Sequence, residues 1–425
     1  MGTGTDTAGE GAATQRGGSL RHNRDYLILW DGGALSALGS QASALALPLL
    51  MLAVTGSAAR AGLLGALRGL VYVLLGLLAG GLVDRWDRKR VMVVCDVGRA
   101  LALVSIPFAL ALGRLTAAQL YLVTLIEGTL FIFFGLAETP ALRHVVPAAR
   151  LPAALAQGQA TGAVAGLLGP ALGGALFGAG HALPFVVDAV SYAASVVGLL
   201  LVRTRFQEER HAGPEALRAA IEAGLRWLWA EPVVRRLLWV AGGVNLLYGG
   251  WALLLIALAR HLGATDAAIG LIVAGGGAGA VLGALLTPRA QHRFTVGQLM
   301  VGLAWIFALT WPLYALAPTP IALGLANMLI FVFVPIFNGT QFGYRLLLVP
   351  DALQGRVNSA FRLITFGSQV LGFLLLGTLL DRYGPVTTVW LLVVPQLALA
   401  LFTTACGPLR RAGWLAGAMS GPIQP

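Results

Sequence analysis

Apolar and polar positions along this chain separate into long blocks. Twelve runs dominated by Leu, Val, Ala, Ile, Phe and Gly occupy residues 26–54, 60–83, 91–112, 119–142, 153–178, 182–202, 236–259, 267–287, 296–316, 320–344, 355–380 and 385–405. A helix needs about 20 apolar residues to cross a bilayer, and each run meets that length. The predicted fold class is therefore an all-α membrane protein with twelve transmembrane helices. The longest gap, 203–235, follows the sixth run and divides the chain into a first six-helix bundle (24–203) and a second (236–406), with tails at 1–23 and 407–425. Within the gap (204–235), Leu217, Ile221, Leu225 and Leu228 share one helical face, while Arg218, Glu222 and Arg226 share another. That pattern predicts an amphipathic helix on the inner membrane surface, ending before Pro232.

Composition sharpens the class. Hydrophobic residues make up 57% of the 425 residues and charged residues only 11%, with a mean hydropathy of +0.80. Too few polar groups exist to cover a soluble surface, which excludes a soluble enzyme and a disordered chain. The net charge of +11 could point to nucleic acid, but the basic residues stand in short gaps between apolar runs. There they act as topology determinants, and no nucleic-acid partner is expected. With both termini inside, 22 Arg/Lys fall on the inner side and four (Arg60, Arg114, Arg260, Arg382) on the outer, which orients both termini to the cytoplasm of a multi-pass cell-membrane protein. The first 23 residues contain no apolar signal-peptide region and read as a disordered cytoplasmic tail. Cys95 and Cys406 are expected to be free thiols, and neither they nor the scattered His residues have metal-ligand spacing.

The two halves echo each other. An offset of 203 places Gly80 on Gly283, Arg90 on Arg293, Val146-Pro147 on Val349-Pro350, Gly169 on Gly372 and Gly174 on Gly377. Parallel repeats about an axis along the membrane normal are a transporter architecture, with the substrate site between the halves.

Two motifs carry a family resemblance. The segment from Gly80 through Leu82, Asp84, Arg85, Arg88 and Lys89 resembles the loop signature of the major facilitator superfamily, with Asp87 where that signature has its second Gly. Gly169-Pro170-Ala171-Leu172-Gly173-Gly174 in span five is similar to the antiporter motif of major facilitator exporters, with Ala165 in place of the motif's first Gly. Further stretches, among them Asp96-Val97-Gly98-Arg99-Ala100 and Phe185-Val186-Val187-Asp188-Ala189, resemble the exporter branch that contains macrolide efflux proteins, enterobactin exporters and multidrug permeases. The resemblance implies the major facilitator fold of two pseudo-symmetric six-helix bundles. It also implies a cytoplasmic gate in which Asp84 faces the N-terminus of the helix starting near Gln354. A carboxylate is stabilised at a helix N-terminus. It further implies export of small organic molecules (drug, macrolide or siderophore class) by a monomer, driven by a proton gradient with no bound cofactor and no metal.

Ionisable groups inside spans are costly and mark candidate function. Asp31 and Glu127 are the proton-coupling candidates; Arg68, Asp96, Arg99 and Arg362 are expected in buried ion pairs. Glu138, near an inner span end, is expected only to solvate, and Asp188 to be structural. Phe131, Phe134, Asn245, Tyr248, Trp251, Asn327, Phe331 and Asn338 are candidates for a mainly apolar cavity suited to amphipathic cargo. The Gly275–Gly279 cluster lies within a span, so helix packing explains it better than a nucleotide loop. No phosphate-binding loop or catalytic constellation is present, so the chain is expected not to be an enzyme. An importer or a lysophospholipid flippase on the same scaffold, and a non-transporting membrane enzyme or sensor, are the alternatives.

Overall fold

The structure is a computed structural model of the full chain, and it describes residues 20–75, 83, 86–204, 206 and 217–413. Every regular element among these is helical. The first half contains α1 (Arg24–Thr55), α2 (Ala58–Leu75), α3 (Arg88–Ala111), α4 (Ala117–Val145), α5 (Leu151–Ala179) and α6 (Leu183–Leu201). A linker helix, α7 (Leu217–Ala230), follows. The second half contains α8 (Pro232–Tyr248), α9 (Trp251–His261), α10 (Asp266–Arg293), α11 (Val296–Thr310), α12 (Leu313–Leu316), α13 (Pro320–Leu348) and α14 (Gln354–Ala405), before a short terminal turn.

The chain's punctuation explains where these helices begin and break. Asn23, Asp87, Thr116, Thr265, Thr295 and Thr319 each cap a helix, the side-chain oxygen accepting the backbone N–H three residues on. Five of the six stand in gaps between apolar runs and Asn23 precedes the first, where a carboxamide, carboxylate or hydroxyl can reach an orphan donor. Among the described residues, eleven helical stretches are long and apolar enough to span a bilayer, α8 with α9 and α11 with α12 each counting as one. The twelfth lies within α14, which is broken at Gly384, where φ is 73°, just before Pro385. Only glycine adopts that conformation without strain and proline has no N–H to carry the helix on, so spans eleven and twelve separate there. Conversely, span seven is interrupted at Gly249-Gly250 between α8 and α9, and Pro312 separates α11 from α12 in span nine.

Small residues set the packing. A Cβ on Gly173 would lie 2.5 Å from Ala42 O in α1, and one on Gly174 would lie 2.7 Å from Gly270 Cα in α10. One motif thus ties α5 to its own half on one side and to the opposite half on the other. The repeat partner behaves alike: a Cβ on Gly377 of α14 would meet Ala58 O at 2.8 Å and Gly62 Cα at 3.2 Å in α2. The sequence equivalence of Gly174 and Gly377 is therefore an equivalence of role. Each is the point where a helix of one half touches the backbone of the other. In a bilayer, lipid tails are as apolar as Leu, so such van der Waals contact does much of the joining.

The linker helix packs against the second half. Its Gly224 lies against the start of α14, a Cβ there falling 2.6 Å from Arg356 O, and Leu228 is fully buried. At Gly224, Leu225 and Leu228 this helix is packed on protein. Arg345, counted from sequence as a loop cation, belongs to α13; it is buried and stacked 3.6 Å over the Phe361 ring.

A Leu at Gly173 has backbone in its way, whereas Gly158 earlier in α5 faces open space. Gly173→Leu is expected to lower stability by about 2 kcal/mol or more, seen as a reduced midpoint of thermal unfolding in detergent. Gly158→Leu should leave that midpoint unchanged.

Candidate functional site

A buried charge cluster occupies the first half. Arg99 and Asp96 come from α3, Glu127 from α4, Arg68 from α2, Ser40 from α1 and Tyr192 from α6. Arg99 Nη2 donates to Glu127 Oε1 at 3.0 Å, and Arg99 Nη1 stands 3.5 Å from Asp96 Oδ1. Arg68 Nη2 lies 3.5 Å from the other Glu127 oxygen, Oε2. Arg99 also donates to the Tyr192 hydroxyl and, at 3.3 Å, to Ser40 Oγ, which lies 2.7 Å from the same hydroxyl. Its guanidinium carbon sits 4.0 Å from the Tyr192 ring centroid and 5.3 Å from that of Phe131. Asp96, Arg99 and Glu127 are all buried, while the Arg68 side chain is 34% exposed. Burying charges is tolerable only with this degree of pairing and hydrogen bonding.

The cluster closes one end of a cavity of about 520 Å³. Arg68, Arg99 and Phe131 stand at its closed end, with walls from α1, α4 and α5, among them Trp30, Phe134 and Gly158. The walls use the first half of α1 and α5 and the last half of α4, so the cavity faces the end of the bundle that holds both chain termini. At the opposite end, the Gly174–Gly270 and Gly62–Gly377 contacts hold the two halves together.

One polar side chain in the wall is uncommitted. Glu138 of α4 lies across from Gly33 of α1, where a Cβ would stand 3.7 Å from Glu138 Oε1. Among the described residues it has neither an ion-pair partner nor a hydrogen bond.

Other residues expected at the site are placed as follows. Arg68, Asp96, Arg99 and Glu127 are brought together, and Phe131 and Phe134 line the cavity. Asp31 is exposed and lines no part of this cavity. Arg362 is a correction: it is exposed, and it donates to the Tyr72 hydroxyl rather than to a carboxylate, because the α2 face opposite it presents an aromatic edge. Among the described residues, no second-half candidate lines this cavity. Asn327 is fully buried, donating to Ile272 O at 2.9 Å and accepting from Tyr314 Oη at 2.9 Å, so it fastens α13 to α10. Tyr248 packs edge-on against Phe307 and Trp311, and Trp251 pairs with Phe331 at 4.5 Å. Asn245 donates to Ala241 O of its own helix, and Asn338 accepts from Gln341. Of the gate motif, Gly80, Asp84 and Arg85 lie outside the described residues. Lys89 Nζ donates to Val202 O at 2.7 Å, and Arg88 Nη1 donates to Phe206 O at 3.2 Å, both at the end of the same half. Gly169 and Gly173, on either side of Pro170, abut Gln41 and Ala42 of α1. Sequence reasoning did not find Tyr192 or Ser40. The available signal was spacing: Tyr192 stands four residues after Asp188, on the same face of α6.

Comparison with known proteins adds the following. Residues 19–412 match the transmembrane secretion effector family. The chain is 28% identical over 403 residues to the multidrug efflux pump Tap of Mycobacterium tuberculosis (strain ATCC 25618 / H37Rv), covering 91% of this chain and 94% of that one. It is 27% identical over 384 residues to the uncharacterized MFS-type transporter YfiS of Bacillus subtilis (strain 168), covering 86% and 89% respectively. In three dimensions it resembles the nucleoside transporter NupG, with a TM-score of 0.73 at 16% identity, covering 90% of this chain and 99% of that one.

The geometry makes Glu127 the one carboxylate that two guanidinium groups of the cluster share. Glu127→Gln removes the carboxylate shared by Arg68 and Arg99, and a loss on the order of 3 kcal/mol is expected because a buried cation loses its closest partner. Arg68→Gln, at a partly solvated position, should cost about 1 kcal/mol or less. Thermal unfolding of both variants in detergent checks the contrast; equal losses would mean that the Glu127–Arg99 pair contributes no more than the Arg68 contact.

Proposed function

The chain belongs to the transmembrane secretion effector family of major facilitator transporters, and we propose that it exports small amphipathic organic molecules in exchange for protons by alternating access. It is a transporter and not an enzyme. The observation that carries the finer reading is the cavity: apolar and aromatic walls, one neutralised cation–carboxylate cluster at the closed end, and one free carboxylate, Glu138. Its mouth faces the end that the Arg/Lys asymmetry assigns to the cytoplasm. An exporter must load its cargo from that side.

The chemistry follows from the pairing. Glu127 is clamped by two guanidinium groups, so exchanging its charge would strand a buried cation. Asp31 stands outside the cavity wall. Glu138 can change its occupant without orphaning a partner. In this proposal it holds either a proton or the cationic group of the cargo, never both. Cargo arriving from the cytoplasm displaces the proton; after the halves rock, a proton from outside displaces the cargo. With the carboxylate neutral or paired, the occluded state carries no bare charge across the bilayer. The aromatic walls contribute burial and cation–π contact for an organic cation. The similarity to a multidrug efflux pump supports the outward direction.

Efflux of a cationic dye such as ethidium from a pump-deleted bacterial host, with and without a protonophore, tests the reading. Efflux that stops when the proton gradient collapses is expected. Concentrative uptake by cells expressing the chain would overturn export. Glu138→Gln should reduce ethidium efflux about tenfold or more, the loss of one charged contact, while thermal stability stays within error of the parent. Undiminished ethidium efflux by Glu138→Gln would remove Glu138 from the coupling step.

A further inference from the structure

The last turn of span eleven reaches across to the opposite half. Asp381 of α14 points at the N-terminus of α2. Its Oδ1 accepts from Ala58 N at 2.5 Å; its Oδ2 accepts from Ala59 N at 3.0 Å and from Ser57 Oγ at 2.6 Å. Ser57 Oγ in turn accepts from Arg60 N at 3.2 Å. The first N–H groups of a helix have no partner within it, and a carboxylate there satisfies them and meets the positive end of the helix dipole. The cap of α2 is thus completed by a residue 324 positions away, from the other bundle.

The same two helices touch one turn further in. Gly377 lies four residues before Asp381, and Gly62 lies four after Ala58. A Cβ on Gly377 would come within 3.2 Å of Gly62 Cα. Carboxylate and backbone contact therefore share one helix face and close the same seam, at the end of the bundle opposite the termini.

We propose that Asp381 is a latch that holds this far mouth closed while the cavity is open toward the termini. Rocking the halves to open the far mouth separates the ends of α2 and α14. That motion strips the carboxylate of three donors at once and leaves two backbone N–H groups to water. Two of the three bonds are solvent-exposed, so the latch biases the equilibrium and does not lock it. The proposal rests on the alternating-access reading above.

The test is a pair of distance distributions on the full chain in lipid nanodiscs, with spin labels on engineered cysteines after Cys95→Ser and Cys406→Ser. Labels at Arg114 and Leu316 report the far mouth; labels at Ala149 and Pro350 report the termini mouth. All four positions are exposed. Asp381→Ala is expected to raise the far-open population about tenfold, the size expected for losing hydrogen bonds to one charged group. The far-mouth distances lengthen and the termini-mouth distances shorten together. Ser57→Ala should give a smaller shift in the same direction, and the double variant no more than Asp381→Ala alone. Unchanged distances in Asp381→Ala would overturn the latch. So would a fall in thermal stability with no shift, which is the signature of a plain cap; if Asp381→Ala does not fold, Ser57→Ala decides in the same way. The measurement needs neither cargo nor a gradient, so a failure of the export reading leaves its outcome unaffected.

Discussion

The structure depends on how closely two helix backbones can approach in a solvent that does not drive them together. Lipid offers apolar side chains as good an environment as protein does, so association rests on contact area and on the few polar groups that must avoid lipid. This chain meets the first requirement with glycine at defined points. Gly174 against Gly270 and Gly62 against Gly377 bring the halves into backbone contact, and Gly173 against Ala42 fixes α5 on α1. A side chain at any of these positions would hold the helices apart and widen the seam that must open and close.

The second requirement is met unequally. The two halves share a backbone plan, yet the described buried charge is concentrated in the first. Asp96, Arg99, Glu127 and Tyr192 form a network there, with Glu138 in the adjoining cavity wall. The interior of the second half is held by aromatic edges and amides: Tyr248, Phe307, Trp311 and Tyr314 in contact, Asn327 bonded between α10 and α13, and Gln341 and Gln396 buried beside them, with Arg345 as a buried cation near the end of α13. The described ion-pair cluster and the cavity beside it thus belong to the first half, while the second is mainly aromatic and amide-bonded. That division suits a machine in which the bound species sits on one bundle and the other moves against it.

Much of this was legible in the sequence, and the parts that were not share a cause. Span number, the division into halves and the Gly174/Gly377 equivalence follow from run length and spacing, which the bilayer enforces directly. The pairing of Asp96 with Arg99 follows from a three-residue separation on a helix. What sequence could not supply is the direction a residue faces when all sides of its helix are apolar. Lipid-facing and protein-facing sides then have the same composition, and periodicity carries no signal. Asp31 and Glu138 both lie about two turns or less from a helix end at the termini face, yet only Glu138 enters the cavity wall. Arg362 and Arg345 are reversed for the same reason: the one expected in a buried pair is exposed, and the one expected in a loop is buried against Phe361. The linker helix was found by its amphipathic pattern, but that pattern cannot say whether its apolar face meets lipid or α14.

The α2–α14 pair also shows how a weak polar contact can govern a large motion. The two helices are antiparallel, so each presents its N-terminus beside the other's C-terminal end. Asp381 occupies that position at one end of the pair. Asp84 lies outside the described residues; the family resemblance implies that it serves the helix beginning at Gln354. If both proposed latches operate, only one of the two mouths would be latched at a time, because rocking that joins one end parts the other. Neither latch can be strong. A ligand shifts a two-state equilibrium only by its differential affinity for the states, and inverting a hundredfold bias requires about 10⁴-fold discrimination. A solvated carboxylate on a helix end, worth roughly a factor of ten, would leave the balance within reach of the single proton or cargo molecule proposed for Glu138. A buried ion pair across the seam would not.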